Sequence, residues 1–353
     1  SLEASVVCSF TALDEYFGVS PAPPRFERFD GDIVGLAKAT DGLSFPGLPY
    51  AEAVGGGPAS RVLYRCSDGE AGAYPQTALT RLPAKRSFDA RGGVYESLSE
   101  PTPSPRQASP ELILFEAAAL AARYRYEPDP SYLPETPSGL PVEYQRDLLD
   151  LVVTGARPDK GFELLRRSGF VDEYWPEVAE LGSVSQAKDY HPEGDAWRHT
   201  METFGHRKAP DLVLSLALLL HDTGKPDAVP AGGRRFDGHS ELGERAARRL
   251  LGRLGYPGDV VDSVAFLVRY HMLPAALPRI PPSSVGRALD SPLFPTLLEL
   301  YRCDELSTFR GPDGYYEACA AYKAYLKNAR NPYRDDDGKR RGDSLHRARP
   351  RTL

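Results

Sequence analysis

Hydrophobic and polar positions follow helical periods over most of the chain after residue 140. From Val142 to about Asn328, apolar residues recur at the spacing of one helix face, and prolines and glycines interrupt the pattern. Residues 212–220 are apolar at nearly every position, which predicts a helix that is buried on all sides. An earlier helix is expected after Pro110, because Ser109 can cap its N-terminus and Glu111 suits the positive end of its dipole. Asp195 is a candidate cap for the helix that contains His199, and Asp259 for a helix over residues 260–270.

The residues before about 107 show a different pattern. They are rich in glycine, proline and serine, and short β-like runs such as residues 61–66 lie between turn signals. This pattern predicts a small, loop-rich head with a mixed sheet over residues 1–107. The expected remainder is a helical neck and body over residues 108–185, an all-α domain over 186–328, and a charged, disordered tail over 329–353. The predicted fold class is therefore α+β.

Composition excludes several classes of function. The chain has 353 residues, of which 41% are hydrophobic and 26% charged, close to the average for soluble globular proteins. We expect no membrane partner, since no apolar run reaches the roughly 18 residues that a spanning helix needs, and a start without a secretory signal favours the cytoplasm. The net charge of −6 argues against a protein that coats nucleic acid, and no DNA partner is expected. The four cysteines lack CxxC spacing, which argues against a disulfide scaffold or a thiolate zinc site.

Candidate chemistry lies in an ordered series of histidines and aspartates around helix ends. His221 and Asp222 are adjacent at the end of the apolar helix, where burying both would cost several kcal/mol unless they are paired or bind a metal. Imidazole and carboxylate ligands without thiolates suit divalent Mn, Ni, Co, Fe or Mg. The predicted metal ligands are His199, His221, Asp222, His239, His271 and Asp304.

This set of ligands could hold one or two divalent ions. One ion would be held by His199, His221, Asp222 and Asp304, and a second by Asp222 as a bridge together with His239 and His271. Bound ions activate water and screen phosphoryl oxygens, so such a site favours phosphoester hydrolysis. Asp222 and Lys225 are the predicted catalytic residues, because the Lys225 ammonium would add positive charge where negative charge develops. Four further residues could orient ligands or bind phosphate, although capping and solvation explain them nearly as well: His191, Glu193, Asp195 and Arg198.

The same series carries a family resemblance. It resembles the HD-domain metal-dependent phosphohydrolases, in the version attached to bacterial tRNA nucleotidyltransferases (CCA-adding enzymes) and poly(A) polymerases. The matching motifs are HPEGDAWRHT at 191–200, LHDTGK at 220–225, GH at 238–239 and RCD at 302–304. Residues 145–177 are similar to the helical body of those enzymes. The resemblance implies a 2′,3′-cyclic phosphodiesterase, nucleotidase or phosphatase that acts on a nucleotide or an RNA end, with tRNA as a candidate partner.

The first hundred residues depart from the pattern of that family. The Gly-Gly turn, which lets backbone amides approach a triphosphate, falls at Ser9-Phe10, where a large side chain blocks the approach. Asp30 and Asp32 have the spacing of the magnesium-binding carboxylates of the family and are expected to be vestigial. The base-reading positions fall on Ala108 and Leu112, which cannot form a hydrogen-bond template. We therefore expect a degenerate nucleotidyltransferase head that serves as a scaffold or RNA platform.

Two other functions stay open at this point. The chain could be a tRNA nucleotidyltransferase, CCA-adding or poly(A) polymerase-like, whose head motifs are not recognised. It could also be a non-catalytic RNA-binding protein with a structural metal. The intact series of histidines favours the hydrolase, the missing head motifs count against the first alternative, and the acidic net charge counts against the second.

Overall fold

A short hairpin is the part of the head that the structure shows. The computed structural model describes residues 51–54, 61–64, 110–123, 140, 142–184, 194–228, 230–231, 235–309 and 311–340. Strands β1 (Ala51–Val54) and β2 (Arg61–Tyr64) pair antiparallel, with Ala51 opposite Tyr64. Of the β-like run predicted at 61–66, residues 61–64 form a strand. The rest of the predicted mixed-sheet head lies outside the described residues.

The remainder of the described chain is almost entirely helical, as the periods after residue 140 predict. The neck and body contain α1 (Pro110–Arg123), α2 (Val142–Val153), α3 (Pro158–Arg167), α4 (Phe170–Tyr174), α5 (Pro176–Ala179) and a 3₁₀ turn at Glu180–Ser183. The next domain contains α6 (Ala196–Thr203), α7 (Leu212–Leu220), the ribbon β3 (Pro230–Ala231) and β4 (Arg235–Phe236), α8 (His239–Arg253), α9 (Gly258–Tyr270), α10 (Leu273–Ala276), α11 (Gly286–Leu289), α12 (Phe294–Leu306) and α13 (Asp313–Ala329). Its 3₁₀ turns are Phe204–His206, Leu277–Arg279 and Pro282–Ser284. The helical part of the predicted fold class is confirmed.

Small residues allow the helices of the body to pack closely. Gly161 on α3 faces α1 so tightly that a Cβ at this position would lie 2.8 Å from the Ala118 carbonyl oxygen. At the end of α1, the buried Arg123 donates hydrogen bonds to the Leu151 carbonyl (3.1 Å) and to Thr154 Oγ1 (3.0 Å) on the α2 side. The guanidinium therefore satisfies buried acceptors at the end of α2 and joins it to α1.

The apolar helix α7 forms the centre of the following domain. Asp211 caps it, because its carboxylate accepts a hydrogen bond from the Leu214 N–H at 2.8 Å. Leu216 to Leu220 are fully buried, and α7 contacts α2, α6, α9 and α12. The prediction of a helix buried on all sides is confirmed for this half of α7. Its last turn delivers His221 into the interior of the domain.

One segment has the length and apolar composition to cross a membrane, which the sequence pattern did not predict. It is Gly258–Arg279, with a mean hydropathy of 1.3. In the structure its main helix, α9, packs against α7 and α8 and buries Val264, Leu267 and Val268. Burial in the core of a helical domain accounts for the apolar character of these three residues. The helix begins one residue before Asp259, which therefore lies in the first turn and not at the predicted cap position.

Two sets of polar contacts join the body to this domain. The Glu177 carboxylate on α5 accepts hydrogen bonds from Arg249 Nε (3.1 Å) and Arg253 Nη1 (2.8 Å) on α8. Arg207 donates to Ser215 Oγ at 2.6 Å on α7 and to the Gly155 carbonyl at 2.8 Å after α2. Most of this guanidinium is buried, which lowers the pKa of Arg207 to about 10. These contacts therefore hold the start of α7, the helix that His221 follows, against the body.

The beginning of the expected tail is ordered. Helix α13 extends to Ala329, and residues 331–340 form turns and a bridge between Arg334 and Arg340. Asp337 accepts hydrogen bonds from the N–H and the hydroxyl of Ser283, both at 2.9 Å. The structure therefore departs from the expected disordered tail over residues 329–340, because side-chain contacts fasten a stretch that has almost no apolar residues. Residues 341–353 lie outside the described part.

Candidate metal centre

His199 reaches the interior from the first turns of α6. Asp195 caps this helix as predicted, since its Oδ1 accepts a hydrogen bond from the Arg198 N–H at 2.8 Å. Trp197 is buried beneath the Arg166 guanidinium, which lies 4.5 Å from its ring centre. His199 is only 1% exposed, and its Nε2 lies 2.9 Å from Asp304 Oδ1 on α12. The capped start of α6 thus orients a buried imidazole towards a carboxylate 105 residues further along the chain.

His221 and Asp222 follow α7 and are both buried. His221 Nδ1 lies 2.8 Å from the Leu218 carbonyl, which can only accept a hydrogen bond, so Nδ1 carries the ring proton and donates it. In the neutral ring, Nε2 then carries the lone pair. It lies 3.3 Å from Asp222 Oδ2 and 3.9 Å from Asp304 Oδ1, and it has no hydrogen-bond partner among the described residues. A buried acceptor that faces only other acceptors is expected to bind a cation.

His239 and His271 repeat the same arrangement of ring protons. Their Nδ1 atoms donate to the carbonyls of Phe236 (2.6 Å) and Val268 (2.7 Å), each three residues earlier. Their Nε2 atoms face each other at 3.0 Å, and each lies 4.0 Å from Asp222 Oδ1. Two Nε2 lone pairs at this distance repel each other unless a proton or a metal ion lies between them. Burial, then the charges of His221 and His239, lower the pKa of His271 to about 3, so a proton on His271 is disfavoured.

The two carboxylates of the cluster are ionised despite their burial. Burial opposes ionisation of Asp222, but His221, Lys225 and His199 outweigh it and hold its pKa well below the usual value. Burial likewise opposes ionisation of Asp304, and the hydrogen bond and charge of His199 lower its pKa more strongly. Lys225 Nζ lies 2.6 Å from Asp222 Oδ2. The cluster therefore combines imidazole nitrogens with two anionic oxygens, which is the ligand chemistry of divalent ions of intermediate hardness.

A glycine allows the loop after Asp222 to approach the start of α8. A Cβ on Gly224 would overlap the His239 carbonyl oxygen and the Gly243 amide nitrogen, and it would lie 2.9 Å from the His239 carbonyl carbon. Gly243 is itself packed against Val268 and the His221 carbonyl. This contact between two glycines brings His239 and His271 to the carboxylate of Asp222. Sequence spacing alone does not reveal such an approach.

The six predicted ligands occupy one region of the structure. Two groups have ligand atoms within 4.8 Å of one another, and they share Asp222: His199, His221, Asp222 and Asp222, His239, His271. Asp304 adjoins the first group through its contacts with His199 and His221. These His/Asp groups could hold a metal, and the shared carboxylate is in the position that the two-ion hypothesis gives to the bridge. The role of each residue as a ligand remains a prediction.

Five of the six predicted ligands, all except His221, line an open cavity of about 360 Å³. The sequence analysis missed several residues of its wall, which are Met272, Ala275, Arg279, Tyr301, Glu305, Thr308, Gly314 and Glu317. Glu305 follows a predicted ligand directly, and this adjacency could have identified it. Arg279 and Gly314 lie in turns or at a helix start without any motif, so no local signal marks them.

Two further predicted site residues that the structure describes, Asp195 and Arg198, lie outside the cluster. Asp195 serves as a helix cap, and Arg198 is exposed beside it, with Nε 3.7 Å from Asp195 Oδ2. Neither residue lines the cavity. His191, Glu193, Asp30 and Asp32 lie outside the described residues, and their roles stay predictions.

Comparison with known proteins identifies a family whose matched residues include all six candidate ligands. The HD domain family matches residues 196–307. The CC-adding tRNA nucleotidyltransferase of Thermus thermophilus is 34% identical over 209 residues, which is 56% of this chain and 47% of the relative. The multifunctional CCA protein of Halorhodospira halophila is 35% identical over 170 residues, 46% of this chain and 37% of the relative. That of Dechloromonas aromatica is 37% identical over 117 residues, 33% of this chain and 28% of the relative.

The chain thus spans less than half the length of these curated relatives. The matched HD segment runs from the helix that carries His199 to the end of the helix that carries Asp304. The resemblance noted in the sequence is confirmed: residues 196–307 match the HD domain, and the chain is related to CCA-adding enzymes of the HD/tRNA nucleotidyltransferase superfamily.

Proposed function

We propose that this HD domain is a metal-dependent phosphohydrolase that acts on a phosphoester of a nucleotide or an RNA end. The observation that carries the proposal is the pair of facing Nε2 atoms of His239 and His271, 3.0 Å apart, beside the ionised carboxylate of Asp222. The carbonyls of Phe236 and Val268 hold the protons of both rings on Nδ1. Both Nε2 atoms are therefore oriented as ligands, which is how metal-binding imidazoles are commonly fixed.

The residues of the chain fit a site for one or two divalent ions, with Mn, Ni, Co, Fe and Mg as the candidates. His199, His221, Asp222 and Asp304 would hold one ion, and Asp222, His239 and His271 would hold the other. Bound divalent ions would activate a water molecule and screen the negative charge of the phosphoryl group. In hydrolysis a bond forms between the water oxygen and phosphorus, the ester P–O bond breaks, and the departing alkoxide takes up a proton.

Lys225 contributes charge to this reaction from the edge of the cluster. Its ammonium contacts Asp222 at 2.6 Å, and its side chain is 13% exposed, towards the cavity. A cation fixed at this point stabilises negative charge that develops on the phosphoryl and leaving-group oxygens. Asp222 orients both the imidazoles and this ammonium, so its loss should disrupt every part of the site.

Metal analysis followed by turnover of bis(p-nitrophenyl) phosphate tests the proposal. The protein as purified should contain a divalent metal, and turnover should depend on added Mn, Ni, Co, Fe or Mg. The double substitution His221→Ala with Asp222→Ala should abolish both metal content and turnover. His206→Ala is the matched control, because this half-buried imidazole does not line the cavity and should leave both unchanged. Turnover that persists in the double variant would refute the proposed site.

A second candidate function is nucleotidyl transfer to tRNA, which the similarity to CCA-adding enzymes favours. In that case the full chain would incorporate labelled CTP or ATP into tRNA that lacks its 3′ terminus. Asp30→Ala should abolish this incorporation, and the HD variants should not. If the protein binds tRNA but neither incorporates nucleotides nor turns over phosphoesters, the result would instead support an RNA-binding protein with a structural metal.

A further inference from the structure

Arg279 is a cation in the wall of the cavity, and the proposed hydrolysis assigns it no role. It ends the 3₁₀ turn Leu277–Arg279, well separated in sequence from the predicted ligands. Leu277 is only 3% exposed and Pro278 restricts the backbone, so the turn is anchored although Arg279 itself is exposed. The turn packs against α13, whose first residues form another part of the same wall.

This guanidinium makes no ion pair or hydrogen bond with any residue that the structure describes. Several other arginines of the domain each contact a carboxylate, among them Arg248, Arg253, Arg269 and Arg302. The absence is notable because acidic side chains also line the cavity, among them Glu305 and Glu317. Glu305 instead accepts a hydrogen bond from the Tyr315 N–H at 3.0 Å. Arg279 is therefore an unpaired cation beside acids that do not neutralise it.

Lys225, the other cation in the cavity wall, is already engaged. Its ammonium lies 2.6 Å from Asp222, and 3% of the side chain of that aspartate is exposed. The two cations thus differ in what they can offer a ligand. Lys225 balances a buried carboxylate, whereas the planar guanidinium of Arg279 lines the cavity with N–H donors that no described residue uses. Guanidinium groups suit phosphate because two parallel N–H groups can bind two of its oxygens.

We infer that Arg279 binds the non-bridging phosphoryl oxygens of the substrate at the cavity wall and so favours phosphomonoesters over phosphodiesters; this inference rests on the proposed hydrolase function. A monoester has three non-bridging oxygens, so one can face the ligand cluster while two remain for the guanidinium. A diester has two, which leaves one for Arg279 in the same orientation. The preference follows from the number of oxygens that a fork of N–H donors can engage.

The test compares Arg279→Gln and Arg279→Lys with the matched control Arg287→Gln. Arg287 is also exposed and forms no described ion pair, but it does not line the cavity. The measurements are metal content, thermal unfolding, kcat and KM for p-nitrophenyl phosphate and bis(p-nitrophenyl) phosphate, and inhibition by inorganic phosphate. Because the side chain is exposed, neither substitution should alter folding.

In Arg279→Gln, we expect KM for the monoester and the inhibition constant for inorganic phosphate to rise roughly 10- to 100-fold, the usual loss for a hydrogen bond to a charged group. For the diester, the rise in KM should be smaller. The KM of Arg279→Lys should lie between those of wild type and Arg279→Gln, and the KM of Arg287→Gln should match wild type. Metal content should not change in any of them. Unchanged KM and phosphate inhibition in Arg279→Gln would overturn the inference and leave the hydrolase intact. Loss of metal in that variant would overturn it too, because Arg279 would then act on the ligands.

If the proposed hydrolase function is wrong, the experiment gives a different result from a failure of the Arg279 inference alone. If the wild-type protein turns over neither ester with any of the five metals, the proposed function fails. Equilibrium dialysis of inorganic phosphate against the metal-loaded protein then tests Arg279 alone. Binding that Arg279→Gln removes and Arg287→Gln retains would support the anion site, and absence of binding to wild type would overturn it.

Discussion

Gly224→Ala tests whether the close approach of the Asp222 loop to α8 holds the two groups of ligands together. The added Cβ would lie 2.9 Å from the His239 carbonyl carbon, 0.5 Å inside the 3.4 Å at which ordinary contact begins, and closer still to two other backbone atoms. The neighbours are backbone, which cannot rotate away as a side chain can. The start of α8 must therefore move by more than this 0.5 Å, and His239 moves with it.

This displacement exceeds what a metal site tolerates, since ligand distances must fall within about 0.2 Å of their ideal values. We expect Gly224→Ala to destabilise the fold by about 1–3 kcal/mol, as overpacking usually does. We also expect it to lose the metal held by the Asp222, His239 and His271 group, together with most phosphoester turnover. Elemental analysis, thermal unfolding and an assay with bis(p-nitrophenyl) phosphate would measure these three effects.

Gly252→Ala is the matched control for this experiment. Gly252 lies near the end of α8, the helix that begins with His239, and a Cβ there would meet nothing within 4 Å. Alanine at such a site should leave metal content unchanged and stabilise the fold by about 0.4–1 kcal/mol through the unfolded chain. The reasoning is refuted if Gly224→Ala binds the same amount of metal and unfolds at the wild-type temperature.

Three further predictions concern metal, capping and pH. A chelator should lower the melting temperature of wild type by about 5–10 °C, because an ion at 100 times its Kd adds about 2.7 kcal/mol, and it should not affect His221→Ala; equal shifts in both proteins would contradict the assignment. Asp195→Ala removes the cap of α6 and should cost about 1 kcal/mol in thermal unfolding, whereas Glu202→Ala on the exposed side of the helix should cost almost nothing. Burial opposes ionisation of Glu177, but its hydrogen bonds to Arg253 and Arg249 lower its pKa below 4.5. A lowered pKa adds stability above the unfolded-state pKa, and this stability is lost as pH falls through the folded-state pKa. The free energy of unfolding of wild type, measured with denaturant, should therefore fall more below about pH 4.5 than that of Glu177→Gln; parallel pH curves would remove Glu177 from this role.

The helices and their caps follow from local sequence because they depend on neighbours within one or two turns. Asp195 caps a helix from the position that residue type predicts, and Asp211 caps α7 with the same residue type directly before the apolar run. The apolar run of α7 requires burial wherever the rest of the chain lies. Local signals failed where a helix start depends on backbone geometry, as at Asp259, or where long-range contacts order a polar stretch, as Ser283 and Asp337 do near the C-terminus.

The sequence by itself determined which residue types could form the candidate centre, since an ordered series of histidines and aspartates at helix ends leaves few alternatives to a metal cluster. Only the tertiary structure decided how they meet. Facing Nε2 atoms, a shared carboxylate and the contact at Gly224 join residues from five helices or their ends. The same is true of Arg279, which has no motif and becomes relevant only because its turn packs beside the cavity. Distances between separate elements arise from packing of the whole core, and no short stretch of sequence encodes them.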